Sequence, residues 1–464
     1  MLHRLAVPAS IAAGLMLNLM PPLALGSDDG DEVTDLGVAV GEFVETCYPR
    51  YREIDAAVEE AGAGEASYKK LPGFPYLRTN RMLADVLPTL SSRAEIDLWL
   101  RELRYNDAFA REIELRNLGW SESERANAMD DMRLCGVWLS AMELQKDETW
   151  QRLTRTLEYA DALAKSSVQA GGSDVGDDLA SKRIAAASQP SGETKKALAF
   201  WRAAPHEDTE RVLAEFDELP RDRLGRVGMV SNLWKALAVH HAPRLAIASD
   251  TPSERPSRIH WKNGEMHADS GRPTVYYLPT FARVGDEMLL QFNYVMWFHE
   301  PSRQGHGGPL HGRVWRVTLD PDGRALVHET IATTGENHRW ISAASDVMTE
   351  DDGGPAERAP RVAALARESR NGESPVLAAS AVRETDERYA LVSYDDLLFL
   401  PRGNGGTRSA FDAEGHLLKT QGGKALNQQQ LQHLRVGGDA GDPAFYDAEL
   451  LRRLVALARA DSGR

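Results

Sequence analysis

One alternating segment constrains the fold of this chain more than any other part of its sequence. In Glu287–Phe298 every second side chain is apolar, and a period of two residues is typical of a β-strand. This apolar face is formed by Leu290, Phe292, Tyr294, Met296 and Phe298. Pro321 and Gly323 stand at the second and fourth positions of Asp-Pro-Asp-Gly and predict a hairpin turn between strands at Gly312–Leu319 and Ala325–Ile331. Consecutive strands joined by tight turns pair antiparallel, so we expect an antiparallel sheet in the second half of the chain.

The first half of the chain shows the helical period of three and four residues instead. Ser92 with Glu95, and Ser121 with Glu124, have the spacing of capping boxes that begin helices. The prolines and glycine of Leu71–Leu77 interrupt the helical pattern, which then returns at Lys195–Ala203 and continues to His241.

These patterns predict an α+β protein with a helical module at residues 27–245. A mainly antiparallel β module follows at residues 246–464, and an amphipathic helix beginning near Asp447 closes it.

The first 26 residues have the layout of a secretory signal peptide. A positive start at His3 and Arg4 precedes an apolar run, and Ala24 and Gly26 place small residues before a cleavage site at Ser27. An uncleaved membrane anchor is the alternative, which the prolines of the apolar run disfavour. No later segment approaches the roughly 20 apolar residues of a spanning helix. We therefore expect a soluble, periplasmic or secreted protein without a transmembrane segment after cleavage.

Export to an oxidising compartment determines which state we expect for the two cysteines. Cys47 and Cys135 both lie on predicted helical faces, and an even number of cysteines in an oxidising compartment predicts a disulfide. Two separate buried thiols are the alternative. The formal net charge of −15 disfavours binding to nucleic acids or to anionic membranes, because like charges repel.

Most of the histidines cluster between His240 and His338, and no P-loop, H-E-x-x-H, G-x-S-x-G or C-x-x-C motif is present. Neutral imidazole is a good ligand for Zn²⁺. Four histidines lie in or beside two connections that a meander places at the same end of a sheet: His299, His306, His311 and His338. They are candidate zinc ligands, with Glu300 and Glu336 as candidate general bases. Surface or hydrogen-bonded imidazoles in a glycine-rich loop are the alternative.

The second face of the strand at Glu287–Phe298 is mixed. Gln291 and Asn293 are poor choices for a buried face unless they have hydrogen-bond partners. Together with Trp297 they are candidates for lining a polar pocket. The alternative is that this face is the solvent-exposed side of the sheet.

Six stretches of the sequence resemble those of a known protein family. They are Leu71–Arg78, Asn80–Leu83, His241–Pro243, Leu289–Phe298, Gly312–Leu319 and Tyr394–Asp396. These stretches resemble a family of uncharacterised exported, periplasmic proteobacterial proteins. The resemblance implies export and adds no catalytic residue, because the family has no assigned activity.

The sequence leaves two main functional hypotheses open. The first is a non-catalytic envelope protein that binds a small molecule or a protein partner. The second is a metal-assisted hydrolase that uses the loop histidines. The sequence names neither the ligand nor the substrate.

Overall fold

The computed structural model describes thirteen segments of the chain, and the structural statements below refer to these. They are residues 30–157, 198–228, 231–248, 255–262, 264–299, 310–332, 339–343, 382–383, 387–403, 405–413, 415, 417–418 and 448–461. The predicted signal peptide, residues 1–26, lies outside them. The chain divides into two compact units, Met1–Pro49 and Arg50–Arg464. Within the described ranges, no helix combines the length and apolar character needed to cross a bilayer.

Helices dominate residues 30–157. They are α1 (Gly30–Glu60), α2 (Arg81–Val86), α3 (Arg93–Asn117) and α4 (Glu122–Glu143), with a 3₁₀ turn at Leu87–Thr89 and a helical segment at 147–157. Both predicted capping boxes are confirmed. The backbone N–H of Glu95 donates to the hydroxyl of Ser92, and the Glu95 carboxylate accepts from the Ser92 N–H at 2.9 Å. Ser121 and Glu124 repeat this reciprocal arrangement at α4.

A β-hairpin, which the helical pattern does not predict, interrupts the helices of the N-terminal part. Strand β1 (Lys69–Leu71) pairs antiparallel with β2 (Phe74–Thr79). The turn contains Gly73 at a φ of +82°, a left-handed conformation that glycine adopts without steric cost. Pro72 and Pro75 flank it and lack the N–H that a helix interior requires.

Buried ion pairs hold this hairpin against α3. The guanidinium of Arg78 on β2 donates two hydrogen bonds to Glu114, at 2.9 and 2.7 Å, and a third to Asp107 at 3.1 Å. Arg111 donates to the other oxygen of Asp107 at 2.9 Å and to the carbonyl oxygen of Pro75 at 2.7 Å. All four charged side chains are at most 4% exposed. These four buried charged side chains therefore connect the hairpin to the helix.

The central feature of the second half is a nine-stranded mixed sheet. Its strands are β3 (Leu198–Ala203), β4 (Leu245–Ala248), β7 (Thr274–Val284), β8 (Glu287–His299), β9 (Leu310–Leu319), β10 (Ala325–Ala332), β11 (Arg339–Ser342), β12 (Val382–Arg383) and β13 (Arg388–Ser393). The order is β11-β10-β9-β8-β7-β13-β3-β12, with β4 also paired to β3. The strands from β7 to β11 form an antiparallel meander, whereas β13 is parallel to both of its neighbours.

Smaller elements complete the fold. Two short hairpins are β5 (Arg258–Lys262) with β6 (Glu265–Asp269), and β14 (Leu400–Pro401) with β15 (Thr407–Arg408). The remaining helices are α5 (Thr209–Ala214), α6 (Ser231–His240) and α7 (Ala448–Asp461), with 3₁₀ turns at Phe216–Glu218 and Tyr394–Phe399. The α+β class, with helices first, a mostly antiparallel sheet and a C-terminal helix, is confirmed.

The helical prediction for Lys195–Ala203 is wrong, because Leu198–Ala203 is strand β3. A short apolar run does not by itself distinguish strand from helix. This segment is a strand because it pairs with β4 on one side and with β13 on the other, and both partners are distant in sequence.

Both faces of the meander are buried. The first face, which carries Leu290, Phe292, Tyr294 and Met296 of β8, packs against α5 and α6 through residues such as Val212 and Leu237. The second face carries Leu289, Gln291, Asn293, Val295 and Trp297. At one end of this face Trp297 packs in a cluster with Ile113 of α3, and at the other Leu289 packs with Leu450 and Leu454 of α7.

The predicted disulfide is present. Cys47 and Cys135 are both disulfide-bonded, and they are the only two cysteines of the chain, so the bond joins them. Their side chains are 0% and 1% exposed. A bridge that closes a loop of about 90 residues restricts the unfolded chain and stabilises the fold by about 4–5 kcal/mol on the chain-entropy model.

Candidate functional site

Half of the four predicted zinc ligands, and both candidate bases, lie outside the described residues. This is true of His306 and His338, and of the candidate bases Glu300 and Glu336. His299 is the last residue of β8 and pairs with Leu310, whereas His311 on β9 pairs with Phe298, so the two histidines are not cross-strand partners. In the part of the chain that the structure describes, no three His, Cys, Asp or Glu side chains are grouped to hold a metal ion. The zinc site remains a prediction.

The predicted pocket residues Gln291 and Asn293 lie on the second face and are each 5% exposed. The alternative of a solvent-exposed face is therefore wrong. It fails because α3 and α7, both distant in sequence, and the β5–β6 hairpin pack on this side of the sheet.

Gln291 and Asn293 belong to a buried polar network. The amide of Gln291 donates to the hydroxyl of Thr318 at 3.0 Å, and that of Asn293 donates to the hydroxyl of Thr280 at 2.9 Å. Cross-strand from Asn293, Arg316 forms a two-point ion pair with Glu329 at 2.7 and 2.5 Å. Since protein groups satisfy these donors, the network specifies strand register and sheet packing.

Trp297 lies apart from this network. Its ring stacks on Tyr394, with ring centroids 6.4 Å apart, and meets the ring of Tyr276 edge-on at 5.3 Å. Val295 separates it from Asn293 along the strand. The structure therefore brings Gln291 and Asn293 together but places Trp297 in an aromatic cluster.

The first face carries a different polar group, which we call the buried histidine site: Trp315 on β9 and His328 and Thr330 on β10. Thr330 is directly opposite Trp315, and His328 is two residues before Thr330, so all three lie on the same face. The rings of Trp315 and His328 are 5.4 Å apart. The three side chains are at most 5% exposed.

Four polar atoms of the buried histidine site have no hydrogen-bond partner within the described chain. They are Nε1 of Trp315, Nδ1 and Nε2 of His328, and Oγ1 of Thr330. More than about 90% of buried polar groups in proteins have a partner, and each unmatched one costs about 1–3 kcal/mol. By contrast Tyr294, opposite Trp315 on the same face, donates its hydroxyl to the carbonyl oxygen of Ala238 at 2.7 Å. A concentration of unmatched groups on one patch indicates a place for a polar occupant.

A second histidine borders this patch. His241 follows α6, and its ring stacks on Phe292 with ring centroids 6.4 Å apart. Its Nε2 lies 3.1 Å from the carbonyl oxygen of Gly323 in the β9–β10 turn. A carbonyl oxygen only accepts, so Nε2 carries the proton and Nδ1 of the neutral ring is an acceptor.

Burial keeps these imidazoles neutral. It lowers the pKa of His328 from 6.5 to about 4, and no described charged residue contributes to that change. Burial also lowers the pKa of His241 well below its usual value, and neighbouring His240 and His328 add to the effect. At neutral pH the site therefore offers uncharged donors and acceptors.

The hydrogen-bond donors and acceptors of the buried histidine site determine which chemistry it supports. The indole of Trp315 only donates, the hydroxyl of Thr330 donates and accepts, and neutral His328 has one nitrogen of each kind. General-base catalysis works best with a pKa near the operating pH, so a histidine at about 4 is a poor base. The arrangement is suited to holding a molecule.

The sequence contains a signal for this site, although the prediction of metal ligands in the loops does not include it. His328 occupies the middle of the predicted strand Ala325–Ile331, and a histidine in phase with an apolar strand face is buried there. Its neighbour His241 is far away in sequence, so no local motif joins the two residues. Comparisons with protein-family models, curated proteins and solved structures found no match to this chain.

Proposed function

We propose that this chain is an exported, non-catalytic binding protein of the bacterial envelope that holds a small molecule in the buried histidine site. The observation that carries this proposal is the set of four buried, unmatched polar atoms on Trp315, His328 and Thr330. A bound molecule that engages them offsets a cost of about 1–3 kcal/mol for each atom.

A small ligand is favoured over a protein partner by the burial of the site. Trp315 and His328 are 1% and 2% exposed. Protein partners bind through surface area, whereas small ligands bind in enclosed sites that shield most of their surface. Binding is favoured over catalysis because the low pKa of His328 removes its value as a base near neutral pH.

Export is the second part of the proposal. The disulfide between two buried cysteines suits an oxidising compartment, since cytosolic thiols are kept reduced. The signal-peptide pattern of residues 1–26 and the resemblance to exported periplasmic proteobacterial proteins support the same assignment.

The test of localisation is the mass of the recovered protein. The full sequence, with its own leader, is expressed in a bacterium and recovered from the periplasmic fraction. We expect a chain that begins at Ser27 and carries no titratable thiol. Recovery from the cytoplasm with Met1 attached and two free thiols contradicts export.

The test of binding is the chemical content of the purified protein. Small molecules are extracted from wild type and from three variants, Trp315→Phe, Thr330→Val and Trp297→Phe, and identified by mass spectrometry. Trp297 is the matched control, because its Nε1 is also buried and without a partner in the described chain but lies on the second face. We expect one compound in wild type and Trp297→Phe that is depleted from the other two. Its absence from all four proteins, or its retention by all four, refutes the proposal.

A further inference from the structure

We propose that the buried histidine site selects an uncharged molecule whose polar group both donates and accepts hydrogen bonds, with a planar carboxamide as the simplest case. This inference rests on the proposed function and specifies the ligand class. Three properties of the site define this class: its charge, the types of its hydrogen-bonding groups and its shape.

The first property is charge. An ion placed in a site removed from water needs an opposite charge, because its desolvation otherwise costs far more than that of a neutral group. His328 and its neighbour His241 are both held neutral. Among the described residues no Asp, Glu, Lys or Arg acts on the ring of His328, including half-buried Arg313 two residues before Trp315. The site therefore gives neither an anion nor a cation a counter-charge.

The second property is the type of hydrogen bond. A ligand with acceptors alone leaves the bare nitrogen of His328 unmatched, and a ligand with donors alone leaves the indole N–H of Trp315 unmatched. An amide satisfies both, since its oxygen accepts from Trp315 and the two hydrogens of its NH₂ group are donated to His328 and Thr330. Discrimination against an analogue that leaves a buried group unpaired is correspondingly strong.

The third property is shape. The rings of Trp315 and His328 are inclined by only 31°, with centroids 5.4 Å apart, and the ring of His241 stacks on Phe292 nearby. These flat aromatic surfaces beside the unmatched atoms suit a flat polar group, because the faces of aromatic rings attract partial positive charge such as that of an amide N–H.

The experiment uses three ligands of nearly identical size and planarity: acetamide, acetate and acetamidinium. Each is titrated at pH 7 into the mature, oxidised, ¹⁵N-labelled protein. The reporters are the indole N–H resonance of Trp315, assigned with Trp315→Phe, and the ring nitrogens of His328. The indole resonance of Trp297 on the second face is the internal control.

We expect acetamide to shift the Trp315 and His328 resonances saturably and to leave Trp297 unchanged. Acetate and acetamidinium should bind at least tenfold more weakly. Thr330→Val, which preserves side-chain shape and removes one hydroxyl, should weaken acetamide binding about tenfold, as expected for the loss of one buried hydrogen bond.

The outcomes separate the two proposals. Saturable shifts of Trp315 with acetate or acetamidinium, equal to or tighter than with acetamide, overturn the neutral-ligand inference and leave the binding function standing. An unchanged acetamide affinity in Thr330→Val also overturns the inference. If none of the three ligands moves either reporter, the site holds internal water only, and the proposed function fails with the inference.

Discussion

Acidification should destabilise the protein through His328, and the structure gives the size of the effect. Burial lowers the pKa of this imidazole from 6.5 to about 4 in the folded protein, whereas in the unfolded chain it keeps its ordinary value. Below pH 6.5 the unfolded chain therefore binds the proton first, and protonation favours unfolding. The stability that the neutral ring contributes is fully present above pH 6.5 and is lost as pH falls towards 4.

The magnitude follows from the shift. One pKa unit corresponds to about 1.4 kcal/mol, so a depression from 6.5 to about 4 predicts a loss of about 3 kcal/mol by pH 4 from this residue alone. His241 titrates in the same direction, because burial and the two neighbouring imidazoles lower its pKa as well. His240 adds a smaller contribution of the same sign.

The assay is equilibrium urea unfolding of the oxidised protein at a series of pH values from 7.5 to 4. The variant His328→Phe keeps a planar ring in the same place and cannot be protonated. We expect wild type to lose about 3 kcal/mol more than this variant over the series. Parallel pH profiles, differing by less than about 1 kcal/mol, refute the buried neutral state of His328.

The remaining predictions concern stability at neutral pH. Arg78→Met leaves buried carboxylates without their guanidinium and should lower the free energy of unfolding by about 3–5 kcal/mol, whereas Arg93→Met, which breaks an exposed pair, should change it by less than about 1 kcal/mol. Equal losses in urea unfolding contradict this assignment. Gly323→Ala should cost more than Gly285→Ala, because both have positive φ but only the first new Cβ meets an aromatic ring, at 2.6 Å. Thermal unfolding of the two variants at one midpoint would disprove the contact. Reduction of the disulfide should lower the free energy of unfolding by about 4 kcal/mol, and an unchanged urea midpoint would exclude a stabilising bridge.

The meander could be predicted from the sequence because its signals are local. Alternation along Glu287–Phe298 and the turn at Asp320–Gly323 define strands and antiparallel pairing within a short stretch of chain. The observed β8, β9 and β10 agree with the predicted strands to within two residues at each end. The capping boxes of α3 and α4 are equally local, since each uses four consecutive residues.

The parts that escaped prediction depend on contacts between distant segments. Leu198–Ala203 becomes a strand because β13, which begins at Arg388, pairs beside it. Gln291 is buried because elements from both ends of the chain cover the second face. The buried histidine site joins His328 to His241 through tertiary packing, so neither spacing nor composition identifies the pair.

The position of β13 in the sheet has a consequence for how the chain acquires its structure. This strand lies between β7 and β3 and is parallel to both, so the sheet stays divided until Arg388–Ser393 is available to join its two parts. Pairing between such remote segments closes long loops and is slow. During synthesis the sheet therefore cannot be completed until Arg388–Ser393, in the last fifth of the polypeptide, has emerged.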